Sequence, residues 1–179
     1  MAAHVEQVDE FVQEEEPSGI DYRGTLYAGL MLTADGPKLV EYNVRFGDPE
    51  AQVVLPRMAT DLAGLLAEAA AGSLTSEPAF VDDAAVTVVL ATEGYPTSPR
   101  TGDVITGLSD AEAAGALVFC AGVAADDAGN LVTAGGRVLD VTGRGPTLSV
   151  ARERAYAAAD LSAGPGIHRR PDIARAAAG

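Results

Sequence analysis

With 179 residues, 47% of them hydrophobic, the chain has material for one good core or two small ones and is too apolar for a disordered tail. Its 26 acidic against 12 basic residues leave a net charge of −14, which repels nucleic-acid backbones and anionic membranes, so neither is an expected partner. The single cysteine excludes an internal disulfide, and the single lysine, Lys38, excludes a Schiff-base lysine, a lipoyl or biotinyl attachment lysine in the C-terminal half, and a lysine-bearing phosphate loop.

No stretch approaches the roughly 20 apolar residues that a membrane helix needs. The N-terminus lacks the basic-then-apolar order of a secretory leader, so the cytoplasm is the expected compartment. Val5, Val8, Phe11 and Val12 recur at helical spacing on an acidic background, predicting a short amphipathic helix over residues 5–16, ended by Pro17-Ser18-Gly19. Two β-favouring runs, residues 24–33 and 38–45, flank the turn residues Asp35-Gly36-Pro37 and predict a hairpin.

The return strand carries the chemistry. Side chains alternate faces along a strand, so Glu41, Asn43 and Arg45 are expected to point the same way, with neighbours about 7 Å apart. A carboxylate and a carboxamide oxygen so spaced suit a hard divalent cation, which takes the rest of its shell from phosphate and water. The guanidinium beside them offers a fork to phosphate or acyl-phosphate oxygens. The triplet therefore points to magnesium–phosphate chemistry.

Asp48-Pro49-Glu50 reads as a helix start, with Asp48 as N-cap and proline at the first helical position, although Asp48 is equally suited to the ligand cluster. Pro56 interrupts the segment. A helix over residues 60–71 follows, with Leu62, Leu65, Leu66 and Ala69 on one side and Gly72 closing it. Residues 72–81 turn to Ser, Thr, Pro and Glu and mark a boundary. Beyond it, short β-branched runs at 84–92, 103–107, 116–124, 130–133 and 137–142 predict a compact antiparallel module. Within that module Cys120 sits in an apolar run and is expected to be buried. Ser109-Asp110-Ala111-Glu112 has the form of a capping box, Asp126-Asp127-Ala128-Gly129-Asn130 that of a hairpin turn, and Pro146 is expected to open a last helix through Tyr156 and Ala159.

Taken together, Arg45-Phe46-Gly47-Asp48-Pro49-Glu50-Ala51-Gln52-Val53-Val54-Leu55-Pro56 and the preceding Tyr22-Arg23-Gly24-Thr25-Leu26-Tyr27-Ala28-Gly29-Leu30-Met31 resemble the C-terminal part of the phosphoribosylamine-glycine ligases, an ATP-grasp family of purine biosynthesis. Gly94-Tyr95-Pro96, Gly135-Gly136-Arg137-Val138-Leu139 and Ala151-Arg152-Glu153-Arg154-Ala155-Tyr156 resemble the small C-terminal domain of the same family, and the resemblance covers residues 20–175. It implies an α/β (α+β) fold: the C-terminal portion of an ATP-grasp domain over residues 1–76, then a small, β-rich, barrel-sandwich-like antiparallel domain over residues 81–175. It also implies ATP with magnesium or manganese as cofactors, and a glycyl phosphate that the amine of 5-phosphoribosylamine attacks to give glycinamide ribonucleotide, ADP and phosphate.

By the same resemblance, Glu41 and Asn43 are the metal ligands that bridge the ATP phosphates. Arg45 neutralises phosphate charge, and Asp48 and Glu50 contact the glycine ammonium or support the site from behind. Members are roughly twice this length, so the nucleotide-clamping lysines and the phosphoribosylamine-binding domain are expected from an N-terminal portion, in cis or in trans, and the chain alone is expected to be weak or inactive. Two other readings stay open: another ATP-grasp carboxylate-amine ligase, and a non-catalytic structural subunit of a split ligase.

Overall fold

The computed structural model describes residues 22–162 and 164–178; the helix expected over residues 5–16 lies outside them. The chain divides into two compact units, residues 1–47 with 60–78, and residues 48–59 with 79–179.

In the first unit, strand β1 (Tyr27–Thr33) pairs antiparallel with β2 (Gly36–Asn43), in a register running from Thr33↔Gly36 to Tyr27↔Asn43. The turn forms where Asp35 and Gly36 call for it: Thr33 Oγ1 accepts from the Asp35 N–H and donates to the Gly36 carbonyl, and Gly36 takes a φ of 102°. Several apolar side chains on this hairpin are exposed, among them Met31, Leu32 and Val40. After the excursion of residues 48–59, helix α2 (Leu62–Ala71) completes the unit. Asp61 caps it by accepting from the Ala63 and Gly64 N–H groups, and Gly72 ends it in the left-handed conformation. Leu65 is its buried residue.

The chain leaving α2 is tied down by Glu68, whose carboxylate accepts from Thr75 N and Ser76 N at 2.8 Å each and from Ser76 Oγ at 2.7 Å. The Ser76 hydroxyl, then the Ser76 and Thr75 N–H groups, hold the ionised form so well that the Glu68 pKa falls to about 2. Because the folded value lies below the unfolded one, this contribution is present above the ordinary glutamate range and is lost as pH falls through about 2. A carboxyl-carbon NMR titration should place the Glu68 midpoint near 2, and Ser76→Ala should move it toward the ordinary value; an unshifted midpoint in the parent chain would refute the bonding.

In the second unit, residues 51–54 form a short helix, α1 (Ala51–Val54), followed by a 3-10 turn at Leu55–Arg57. The segment is stitched to residues 79–83: Ala59 N donates to Ala79 O, Val81 N to Arg57 O, and the Arg57 Nε to Asp83 O at 2.6 Å. The main sheet has the order β4-β7-β3-β8, antiparallel throughout, from β3 (Ala84–Thr92), β4 (Leu117–Cys120), β7 (Arg137–Gly145) and β8 (Ile167–His168). A separate hairpin, β5 (Val123–Ala125) with β6 (Leu131–Thr133), turns at residues 126–130 as predicted, with Asp126 accepting from the Ala128 and Asn130 N–H groups.

Helix α4 (Leu148–Leu161), capped by Thr147, lies on the sheet and buries Ala151, Ala155, Ala158 and Ala159 against Val86, Val88 and Leu90 of β3 and Leu139 and Val141 of β7. Four alanines on one helix side and a glycine in the strand let the two backbones meet. A Cβ on Gly143 would come within 2.4 Å of both Ala151 O and Ala155 N. The remaining helices are α3 (Leu108–Ala113) and α5 (Arg175–Ala178). Among the described residues no helix is long and apolar enough to cross a membrane.

Several local expectations are corrected. The 103–107 run forms isolated bridges at Val104, paired with Val132, and at Thr106 instead of a strand, and the 116–124 run breaks into two strands around Ala121 and Gly122. The capping-box reading fails because α3 starts earlier, with Gly107 at the N-cap and no side-chain cap. Gly107 has φ +81° and lies so close to Leu161 that a Cβ would meet its carbonyl, so tertiary packing of the α4 C-terminus sets the start. Pro146 precedes the cap of α4 instead of opening the helix. Cys120 is exposed, at the end of the edge strand β4, not buried.

Candidate functional site

In the first unit the expected alternation brings Glu41 and Asn43 together at the end of β2: Asn43 Nδ2 donates to Glu41 Oε1 at 3.0 Å. The bond spends the amide nitrogen on the carboxylate, which orients the carboxamide and leaves Glu41 Oε2 and Asn43 Oδ1 without a hydrogen bond from the described residues. Both are hard oxygen donors. Glu41 is exposed and Asn43 half-buried, and one carboxylate with one amide oxygen is the protein share that magnesium or a similar cation ordinarily takes when phosphate and water complete the shell. The donor set therefore fits half of a divalent-cation site. Among the described residues no group of three or more His, Cys, Asp or Glu side chains forms a fuller one.

Arg45 departs from the expected geometry. The strand ends at Asn43, Val44 and Arg45 lie in a bend, and the exposed Arg45 turns its Nη1 onto the Phe46 carbonyl at 2.8 Å. The two-residue period that aligned Glu41 with Asn43 holds only while the ladder continues, and so does not extend to Arg45.

Asp48 and Glu50 belong to the second unit. Asp48 is not the N-cap of α1; that position is taken by Glu50 with no side-chain cap bond, and its carbonyl accepts from the Val53 and Val54 N–H groups. The reason is competition for the Asp48 carboxylate. Arg137 Nη2 donates to its Oδ2 at 3.0 Å, Arg137 Nη1 to its carbonyl at 3.1 Å, and Gln52 Nε2 to its Oδ1 at 3.1 Å. The other amide hydrogen of Gln52 goes to Asp140 Oδ2 at 3.0 Å, while the Gln52 carbonyl accepts from Thr142 Oγ1 at 3.0 Å. Thr142 and Thr87 face each other across β7 and β3 and share a hydroxyl–hydroxyl bond.

Asp140 is only 1% exposed. Burial, reinforced by the negative charge of Asp48, raises its pKa above the ordinary carboxylate range against the opposing bond from Gln52 and the charge of Arg137. Beside this network lies a cleft of about 400 Å³, bordered by Pro49 and Arg137 and floored by Thr87, Val89, Ala91 and Ile173. Gln52, Arg137 and Asp140 carried no assigned role in the sequence reading. A carboxylate inside the apolar run Val138-Leu139-Asp140-Val141 was the signal that could have singled the last of them out, since burying a charge without a partner is costly.

The class of protein is given by comparison: the N-terminal part of the chain fits an ATP-grasp family model. The match extends to a solved structure, the phosphoribosylamine–glycine ligase of Thermotoga maritima, with a TM-score of 0.82 and 38% identity over 97% of this chain and 44% of that one. Residues 2–51 match the family model "Phosphoribosylglycinamide synthetase, ATP-grasp (A) domain", and residues 85–176 match "Phosphoribosylglycinamide synthetase, C domain". The chain belongs to the phosphoribosylglycinamide synthetase family. It is 51% identical over 174 residues to the phosphoribosylamine–glycine ligase of Streptomyces coelicolor, covering 94% of this chain and 41% of that protein. With the ligase of Caulobacter vibrioides it is 48% identical over 157 residues, or 87% of this chain and 37% of that protein. The chain thus spans about two fifths of the length of the curated relatives it matches.

Proposed function

We propose that this chain supplies the cation-binding and C-terminal part of a ligase that joins glycine to 5-phosphoribosylamine at the expense of ATP, yielding glycinamide ribonucleotide, ADP and phosphate. The observation that carries this reading is the Asn43–Glu41 bond, which presents a carboxylate and a carboxamide oxygen side by side within a sequence half identical to such a ligase. Glu41 and Asn43 would hold magnesium or manganese. Such a cation, when bound, offsets phosphate charge and makes the γ-phosphoryl group a better electrophile. Arg45 contributes a permanent positive charge for phosphate oxygens, for which its guanidinium has to leave the Phe46 carbonyl. Asp48 and Glu50 act on the glycine side, where a carboxylate attracts an ammonium group. No side chain in this set is a nucleophile, in keeping with a reaction driven by positioning and electrostatics. The domain division follows the same reading: residues 1–76 belong to the ATP-grasp body and residues 81–175 to the C-terminal domain.

Half a cation site without a second wall leaves water and bulk dielectric on the open side of a nucleotide. The chain alone is therefore expected to turn over weakly or not at all. The test is ADP release that depends on both glycine and phosphoribosylamine, measured for the purified chain and for the chain mixed with the separately produced upstream portion of the Streptomyces coelicolor relative. Turnover in the mixture only is the expected result. Turnover by the chain alone would overturn its dependence on a second portion, and a mixture that assembles and binds ATP yet shows no turnover would overturn the ligase assignment.

A further inference from the structure

The Gln52–Asp140 contact leaves two buried acceptors facing a shortage of hydrogens. Gln52 spends both N–H groups, one on Asp48 and one on Asp140, so its orientation is set by two carboxylates. Its own Oε1 and the second Asp140 oxygen, Oδ1, are buried and have no partner. Orphaned buried acceptors on two adjoining residues are rare in a well-packed protein and cost free energy unless a donor reaches them. If Asp140 were ionised, one amide NH₂ group would also sit between two anionic carboxylates, in a region dry enough to bury Asp140 almost completely.

The charged groups facing Asp140 are Asp48, from the segment before α1, and Arg137, on its own strand. Arg137 commits both of its terminal nitrogens to Asp48. Across the sheet, β3 presents Val89 and β4 presents Phe119, neither able to compensate a charge. Among the described residues Arg137 is the cation that acts on Asp140, and its terminal nitrogens already serve Asp48; of the other basic groups lining the same cleft, His168, Arg169 and Arg170, the two arginines are paired with Asp160 and Asp172.

We propose that Asp140 is held as the neutral acid and forms a reciprocal acid–amide pair with Gln52: Oδ1–H donates to Gln52 Oε1 while Gln52 Nε2 donates to Asp140 Oδ2. One proton then satisfies both orphaned atoms. Asp48 remains the sole anion of the network, and Gln52, clamped at both ends, fixes its Oδ1 while Arg137 fixes its Oδ2 at the edge of the cleft. Asp140 and Gln52 are on this view positioning residues for the Asp48–Arg137 pair. The direction of the Asp140 pKa, raised by burial, agrees with this arrangement. The proposal does not depend on the ligase reading and is tested on the 179-residue chain itself.

A folded-state pKa above the unfolded one means that the folded chain is best favoured below the ordinary aspartate value and loses that advantage as pH rises toward the folded value. Carboxyl-carbon NMR titration of the chain labelled at aspartate should show the Asp140 signal still protonated at a pH where ordinary aspartate, with its midpoint of about 3.9, has ionised. Asp140→Asn reproduces the neutral acid in donor and acceptor, so its denaturant midpoint at that pH should equal or exceed the parent's, and its decline with rising pH should be smaller. Asp140→Leu, which cannot pair, should lower the midpoint. An Asp140 signal that ionises at the ordinary aspartate midpoint, or Asp140→Asn as damaging as Asp140→Leu, would overturn the proposal.

Discussion

Replacing Glu41 by glutamine in the ligase reconstituted from both portions is expected to lower kcat by about two to three orders of magnitude, the range seen when one preorganised electrostatic group is removed from a transition state. Glutamine preserves size and an acceptor oxygen but removes the negative charge, and a hard divalent cation draws most of its protein affinity from charge. Asn43→Asp separates charge from geometry. It abolishes the Nδ2–Oε1 bond and sets two carboxylates side by side, so it should weaken the hairpin without a cation and tighten cation binding. Activity is not the only readout: in the 179-residue chain alone, manganese should broaden the Asn43 side-chain amide NMR signals, and Glu41→Gln should suppress the effect. Broadening that is unchanged in Glu41→Gln, or turnover within threefold of the parent, would remove Glu41 from the site.

Gly143→Val is expected to destabilise the second unit by at least ~3 kcal/mol, at the upper end of what overpacking costs. The effect is large because the obstruction is backbone. The glycine faces the carbonyl of Ala151 and the N–H of Ala155, each 2.4 Å from where a Cβ would stand, so no rotamer change can relieve the clash and α4 has to lift off β7. Lifting it exposes the alanine seam and the leucine and valine side chains beneath, which form the main core cluster. A domain stable by only about 5–15 kcal/mol then loses a substantial share of its margin. Urea unfolding followed by circular dichroism measures the change; a variant within ~0.5 kcal/mol of the parent would show that α4 does not pack where it is placed.

The two substitutions also divide what was legible in the chain from what was not. Glu41 and Asn43 could be paired from letters alone because a strand has a fixed two-residue period and the turn residues Asp35 and Gly36 set where that strand begins. Arg45, two positions further on, escaped the same rule because the ladder stops at Asn43, and nothing in the composition of Val44 or Arg45 announces the stop. Asp48 followed by proline carried a sound local signal for a helix cap. Arg137, 89 residues away, outbids it by offering a charged, two-point contact where the cap offers a single backbone hydrogen.

Local chemistry, acting over a turn or a strand, was determined by the sequence by itself: the hairpin, the glycine-ended helix α2, the 126–130 turn, the antiparallel module and the side-by-side Glu41 and Asn43. Only the tertiary structure decided that residues 48–59 join the second unit, that Gly107 takes the N-cap of α3, that Cys120 is exposed, and that Asp48, Gln52, Arg137 and Asp140 form one network. The physical reason is sequence separation. A hydrogen bond closed within a few residues costs little chain entropy and leaves a pattern in the letters, whereas one closed across some 90 residues depends on sheet register and burial that no local pattern encodes.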